Sequence, residues 1–326
     1  MRVLSFFCLL SLAACGGDGD WSPAFDADAR GWILSVWGPD DGDALFAVGG
    51  QPGAGAMTRF DGSDWNPVDV GGAPLLNWVH GLNESDYVVV GDGGFIARGN
   101  GTTLTPFSNV PTAEQLWGAW MNAADDIWAV GGAGVDTSEA VVLHFDGRAW
   151  TKETLPALER PNVFAFFKVW ASGPDDVIVV GQRGVILRYD GSEWREFGAG
   201  TSDDLISLWG TGPDRVVAVG GRGNGVMATW NGTEWRSVRL SPLAALNGVW
   251  TRNGRDVHVA GIQGTLAVVD FDSFVFRESF TDATLDFHAI FGRSSGLTAV
   301  GGNLAAGTSA PIFNGLAWER SLSSTE

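Results

Sequence analysis

The sequence predicts an all-β chain folded as a seven-bladed β-propeller of four-stranded blades, and three observations carry that prediction. From Ile33 onward one pattern recurs seven times: an apolar stretch ending in an aromatic, a polar turn, an apolar stretch ending in Gly, a Gly-rich loop, then Phe or Tyr before Asp-Gly and Trp. Glycine is 47 of 326 residues, against a usual share of roughly 7%, and Trp 16, Phe 19 and Tyr 2 make a composition of turns and packed rings. Residues 33–326 give 42 residues per unit over seven units, the size of a four-stranded blade in folds of about 4–8 blades.

The elements follow in order along each unit. The first landmark is an aromatic closing the inner strand: Trp37, His80, Trp120, Trp170, Trp209, Trp250 and Phe291. Gly49, Gly91, Gly131, Gly181, Gly220, Gly261 and Gly301 end the second strand, and Trp65, Leu104, Trp150, Trp194, Trp235, Phe276 and Trp318 mark the fourth. In unit five the strands read Leu205–Trp209, Val216–Gly220, Val226–Trp230 and Glu234–Val238. Asp61-Gly62, Asn100-Gly101, Asp146-Gly147, Asp190-Gly191, Asn231-Gly232 and Asn314-Gly315 favour the positive φ of a hairpin and are read as third-to-fourth-strand turns. Unit six departs with Asp272-Ser273, and unit three is lengthened by Val135–Glu139 and Leu155–Val163. Asp18-Gly19-Asp20-Trp21 resembles a surplus outer strand, which either closes the ring or forms a tether. Trp318 is expected to supply the fourth strand of unit seven.

Leu45-Phe46-Ala47-Val48-Gly49-Gly50 with Phe60 and Trp65, and Ile127-Trp128-Ala129-Val130-Gly131-Gly132 with Phe145 and Trp150, resemble kelch motifs and their relatives in the galactose oxidase central domain and the BNR-like propellers. The double Gly is lost in units two, four and six, the units are shorter than the roughly 50 residues of kelch, and no Asp-box is present. The N-terminus carries a second resemblance. Met1-Arg2, the apolar stretch Val3–Leu12 and Leu12-Ala13-Ala14-Cys15 resemble the signal and lipobox of bacterial lipoproteins. That resemblance implies removal of residues 1–14, lipidation of Cys15 and a membrane anchor of acyl chains. Residues 15–32 then form a lipidated tether and possible closing strand before the propeller at 33–326. Gly16 after the cysteine points by analogy to the outer membrane of a Gram-negative bacterium. The alternative is an ordinary secretory signal. Cys8 falls in the removed segment, so the mature chain is expected to have no disulfide. Taken together, the chain is similar to repeat-rich lipoproteins of the myxobacterial type.

A net charge of −18 opposes binding to nucleic acid. Catalytic propellers find little support. The copper chemistry of galactose oxidase needs a Cys-linked Tyr, whereas this chain has only Tyr87 and Tyr189; Tyr189 occupies the aromatic slot of Phe60 and Phe145 rather than that of a sialidase nucleophile. No His/Cys grouping has zinc spacing and no Gly-rich loop precedes Lys-Ser/Thr, so no metal or cofactor is expected.

The first-slot aromatics are read either as packing between blades or as a stacking surface for sugars. His80 is the exception among them and either pairs in the core or lines the channel; Lys168 is the other polar residue that reads as facing channel water. Asp40-Asp41, Glu84 with Asp86, Asp125-Asp126, Asp175-Asp176, Asp214 and Asp256 precede the second strands on one acidic face. They are expected to cap their own turns, with calcium as the sharper alternative. On the opposite face, the second-to-third-strand loops bring Arg183 and Arg222 to equivalent places in adjacent blades, with Gln51, Gln182 and Gln263 adding amides; the two arginines read either as surface residues without a role or as a fork for a carboxylate or phosphate. The expectation is a lipid-anchored, non-catalytic propeller that binds an envelope protein or glycan and touches the membrane only through its anchor. The alternative is a hydrolase or lyase of envelope polysaccharide using paired carboxylates beside Arg183 or Arg222. An assembly platform is a third reading, requiring an exposed apolar rim at Trp32, Trp78 or Trp117.

Overall fold

The computed structural model describes residues 21–322 apart from Asp41 and Phe280. The signal segment and Cys15 lie outside the described residues. Within them the chain forms seven antiparallel four-stranded sheets. Blade one comprises Trp32–Trp37, Leu45–Gln51, Ala54–Phe60 and Trp65–Val68. Blade two comprises Leu76–Asn83, Asp86–Gly91, Ile96–Gly99 and Leu104–Pro106. Blade three comprises Leu116–Ala123, Asp126–Gly131, Val141–Phe145 and Trp150–Lys152. Blade four comprises Phe166–Gly173, Asp176–Gly181, Val185–Tyr189 and Trp194–Gly198. Blade five comprises Leu205–Gly212, Arg215–Gly220, Asn224–Trp230 and Trp235–Ala244. Blade six comprises Leu246–Trp250, Asp256–Gly261, Leu266–Asp270 and Phe276–Ser279. Blade seven comprises Asp286–Gly292, Gly296–Gly302 and Gly315–Ser321, and its outer strand is Ser22–Pro23 from the other end of the chain.

Blade seven corrects the sequence reading. Trp318 lies on the third strand, opposite Ala299, and Asn314-Gly315 ends the second-to-third-strand loop. The outer edge is taken by Ser22 opposite Glu319 and Pro23 opposite Trp318. The N-terminal strand therefore closes the ring. Proline cannot donate to a ladder, and Pro23, Pro67, Pro106 and Pro242 all stand in outer strands. There they blunt edges that would otherwise pair with other chains.

The second strands explain the continuous apolar stretches. Val88–Val90, Val177–Val180 and Val216–Val219 are fully buried, because each sheet is covered on both faces by neighbouring blades, which removes any polar alternation. The closing glycine of each second strand is required by close approach. A Cβ on Gly49 would sit 1.8 Å from the Trp32 carbonyl oxygen, one on Gly220 1.9 Å from that of Asp204, and one on Gly131 2.1 Å from that of Gln115. Every inner strand also carries a bulge at one place, between Ile33 and Ser35 in blade one and between Phe166 and Lys168 in blade four. The bulged amides Asn77 and Asn247 donate to the Leu116 and Phe287 carbonyls, tying each blade to the next at 3.0 and 2.9 Å.

The hairpin turns and the first-to-second-strand turns share one face: a Cβ on Gly147 would meet Asp125, and one on Gly191 would meet Asp175. This is the turn face; the second-to-third-strand loops form the opposite, loop face. Asp61, Asn100, Asp146 and Asn231 accept N–H groups two and three residues ahead in their own turns. The carboxylates that begin the second strands behave differently from expectation. Asp86, Asp126 and Asp176 pair across the sheet with Arg98, His144 and Arg188 of the third strands at 2.6, 2.8 and 2.6 Å, and Glu84 pairs with Arg59 of blade one. Among the described residues, no group of three or more His, Cys, Asp and Glu is placed to hold a metal ion.

Candidate functional site

The inner strands deliver the first-slot aromatics to one level around the axis, at the turn face. There Trp37, His80, Trp120, Trp170, Trp209, Trp250 and Phe291 wall a funnel of about 860 Å³. The rings also pack on one another. His80 stacks on Trp120 at 3.8 Å, Trp120 meets Trp170 at 6.0 Å and Trp209 at 5.8 Å, and Phe291 meets Trp209 at 5.8 Å and Trp250 at 6.0 Å. A Cβ on Gly210 would strike the Trp170 ring and one on Gly292 the Trp250 ring. Each of these indoles thus sits on the bare backbone of the next blade. The slot is interblade packing and funnel wall at once; only Trp120 and Trp209 are half-exposed.

His80 is 5% exposed, and its Nδ1 accepts the Met121 N–H at 3.0 Å. Burial holds its pKa down to about 3. Its contribution to stability is fully present above the unfolded pKa of about 6.5 and is lost as pH falls toward the folded value. His80→Phe leaves the Met121 N–H without an acceptor and costs about 1–3 kcal/mol at pH 7. The variant lacks the imidazole titration, so its deficit narrows by about 2 kcal/mol at pH 5. Denaturant unfolding of both proteins at the two pH values measures this; an unchanged deficit overturns it.

The funnel rim is set by residues two places beyond each aromatic. Those places hold Pro39, Leu82, Asn122, Ser172, Thr211, Arg252 and Arg293, and all but Asn122 line the opening. Two arginines therefore occupy equivalent rim positions on blades six and seven. Arg252 is exposed and lies 5.5 Å over Trp250; Arg293 lies 4.8 Å over Phe60 and donates to the Asp43 carbonyl. The sequence reading did not find them, although their signal was available as the second residue after the unit-six and unit-seven landmarks.

The loop face is more self-contained than its spacing suggested. Arg222 pairs with Asp204 at 2.7 Å, and the other oxygen of Asp204 accepts the Arg183 backbone N–H at 2.8 Å. The Arg183 side chain donates to the Asn162 carbonyl. Gln182 spends both ends of its amide on the Phe164 N–H and the Gly134 carbonyl. The backbone of Gln263 is held by Asp286 at 2.9 Å, and Gln51 is exposed at the end of its strand. The carboxylates beside these arginines serve as loop anchors: Asp203 receives Arg239 at 2.9 Å while Asp204 receives Arg222.

Lys168 and the three unassigned indoles lie elsewhere than expected. Lys168 is 3% exposed, with Nζ donating to the Trp117 carbonyl at 2.8 Å and lying 4.3 Å over the Trp78 ring. It is a buried amine rather than one facing channel water. Trp32, 6% exposed, is covered by Phe313 and donates to Asn303, while Trp78 and Trp117 are half-buried and donate to the Ala119 and Gly132 carbonyls. They form no exposed rim.

No family model matches the sequence, and no curated protein matches it. Solved structures do. The chain is similar to the WD40 β-propeller domain of Doa1, with a TM-score of 0.72 at 10% identity over 94% of this chain and 98% of that one. It is similar to YCF48 bound to D1 peptide, with a TM-score of 0.66 at 14% identity over 95% and 99%. It is also similar to the Cps50 (Swd1) β-propeller domain of Myceliophteria thermophila, with a TM-score of 0.68 at 10% identity over 93% and 100%. At these identities the likeness concerns the fold, and the fold is that of a seven-bladed β-propeller.

Proposed function

We propose that the chain is a lipid-anchored, extracytoplasmic, non-catalytic propeller of the kelch and BNR-like kind, which holds a segment of an envelope protein in its axial funnel. The observation that carries this reading is the funnel itself, walled by seven rings in mutual contact and rimmed by Arg252 and Arg293. An aromatic wall offers apolar area to a side chain, and the exposed Arg252 guanidinium at its edge offers a fork to a carboxylate. The rings meet face to face at His80–Trp120 and edge to face at Trp120–Trp209 and Trp209–Phe291, and five of the seven are buried, so little open ring face remains for a sugar and the wall suits a peptide side chain better. The peptide-bound YCF48 propeller is a precedent for a peptide ligand on this fold. The lipobox-like stretch ending at Cys15 supports the anchor, and Gly16 after it supports, by analogy, an outer-membrane address.

A photo-cross-linking residue at Thr211, on the funnel rim, is expected to trap an envelope polypeptide in cells, and Arg252→Glu to lower capture about tenfold. Arg222→Glu, on the other face, is expected to leave capture unchanged. Capture from Gly223 on the loop face with none from Thr211 overturns the assignment of the site, and turnover of an envelope polysaccharide by the purified chain overturns the non-catalytic reading.

A further inference from the structure

We infer that the funnel opens toward the membrane in which the chain is anchored, so that its ligand is a membrane-proximal segment of a protein embedded in that same bilayer. This rests on the lipid anchor and the funnel site proposed above, and on where the described chain enters the fold. Ser22 lies opposite Glu319, Pro23 opposite Trp318, and the Ala24 N–H donates to the Ala317 carbonyl at 2.9 Å. Their partner strand, Gly315–Ser321, runs from the loop face to the turn face, where Ser321 lies opposite Gly296. The antiparallel N-terminal strand therefore starts at the turn face, and Trp21 is fixed there with the Arg320 guanidinium 5.8 Å over its ring. The funnel opens on that same face, with Arg293 and Ser294 of blade seven at its rim.

Cys15 to Asp20 are all that separates the lipid site from Trp21. Six residues reach at most about 20 Å when fully extended. The third strand of blade seven alone rises about 23 Å from one face to the other. An inverted propeller, with Arg183 and Arg222 against the bilayer, would need the tether to cross that whole thickness, and it is too short. The turn face is therefore held near the membrane and the loop face is presented outward.

Charge keeps the two surfaces apart. Asp40, Asp125, Asp175 and Asp214 stand on the turns of this face, and they repel anionic headgroups over a Debye length of about 8 Å. The tether holds the gap to at most about 20 Å. A folded 100-residue domain has a radius of gyration of about 13 Å and does not fit. An extended or hairpin segment rising from the bilayer does.

The mature chain has Cys15 as its one cysteine, which the anchor consumes, so single labelling sites are simple to place. Ser294→Cys on the turn face and Ala305→Cys on the loop face are both exposed sites in blade seven. Each is made in the full lipidated chain, labelled with a fluorophore and reconstituted into phosphatidylethanolamine–phosphatidylglycerol vesicles carrying a headgroup nitroxide quencher. Ser294 is expected to be quenched several-fold more than Ala305, and a Gly/Ser insertion of about 30 residues after Gly19 to abolish the difference. Equal quenching at the two sites, or stronger quenching at Ala305, in chains that float with the vesicles overturns the orientation while leaving the anchor standing. A wild-type chain that fails to float, like its Cys15→Ser control, overturns the anchor and the orientation together. Loss of capture at Thr211 with the quenching contrast intact would remove the funnel ligand alone.

Discussion

Replacing Trp21 and Phe25 together with alanine lowers the melting temperature by about 6–12 °C, and hydrogen exchange then begins in blade seven. The outer strand of that blade is only two residues long, so ladder hydrogen bonds contribute little to closure. Side chains do most of the work. Trp21, Ala24 and Phe25 pack on the core that joins blades one and seven, and Phe25 lies 4.6 Å from Trp65 of blade one. One short segment thus grips the first and last blades. Truncating two half-buried aromatics costs about 3–4 kcal/mol, below the 3–5 kcal/mol of one fully buried ring each, and each kcal/mol shifts a domain of this size by about 2–3 °C. Trp235→Ala is the control, because Trp235 begins the outer strand of blade five and packs similarly on Trp230. In blade five all four strands are consecutive in the chain, so loss of the ring frees no end, and exchange is expected to spread without preference for blade seven. If the double variant leaves Phe287–Ser321 as protected as before, the N-terminal strand is ornamental and the ring is held by its inner strands alone.

The contrast between blades five and seven also marks what the sequence could disclose. Landmarks set by local packing were legible: Gly49, Gly131 and Gly220 recur because a Cβ would strike a neighbouring carbonyl, and Asp61-Gly62 or Asp190-Gly191 because a hairpin needs positive φ. Closure was not legible, since Asn314-Gly315 carries the same local signal whether it precedes a third or a fourth strand. Ser22 and Pro23 decided the matter by pairing with residues almost 300 positions away. The loop face misled for a related reason. Arg183 and Arg222 are equivalent by spacing, but Asp204, entering from the connection between blades four and five, already occupies Arg222. Arg252 was the more available guanidinium, and it and Arg293 each stand two residues past a landmark aromatic; their place at the funnel follows from the inner strands running toward the turn face.

Lys168 tests how far that inner wall tolerates charge. Lys168→Met is expected to stabilise the protein by about 2–4 kcal/mol at pH 7, with the gain vanishing above about pH 10. Burial brings the Lys168 amine from 10.5 down to about 7. A base whose folded pKa is depressed imposes no penalty above its unfolded value, where both states are neutral. As pH falls from about 10.5 to 7, the unfolded chain takes up a proton that the folded chain refuses, and stability drops by up to about 1.4 kcal/mol per unit. Below the folded value the loss is constant. The Trp78 ring and the Trp117 carbonyl recover part of it by solvating the ammonium, which is why the expected gain is smaller than the full shift implies. Methionine keeps the length and removes the charge. Denaturant unfolding at pH 7 and pH 10 measures the difference; parallel stability curves for the two proteins would mean that Lys168 titrates as an ordinary lysine. A second readout is independent of packing. His288 is held down to about 3, first by burial and then by the Lys168 charge, so the variant must raise the His288 titration seen by NMR, whereas a purely steric effect of the methionine would leave it in place.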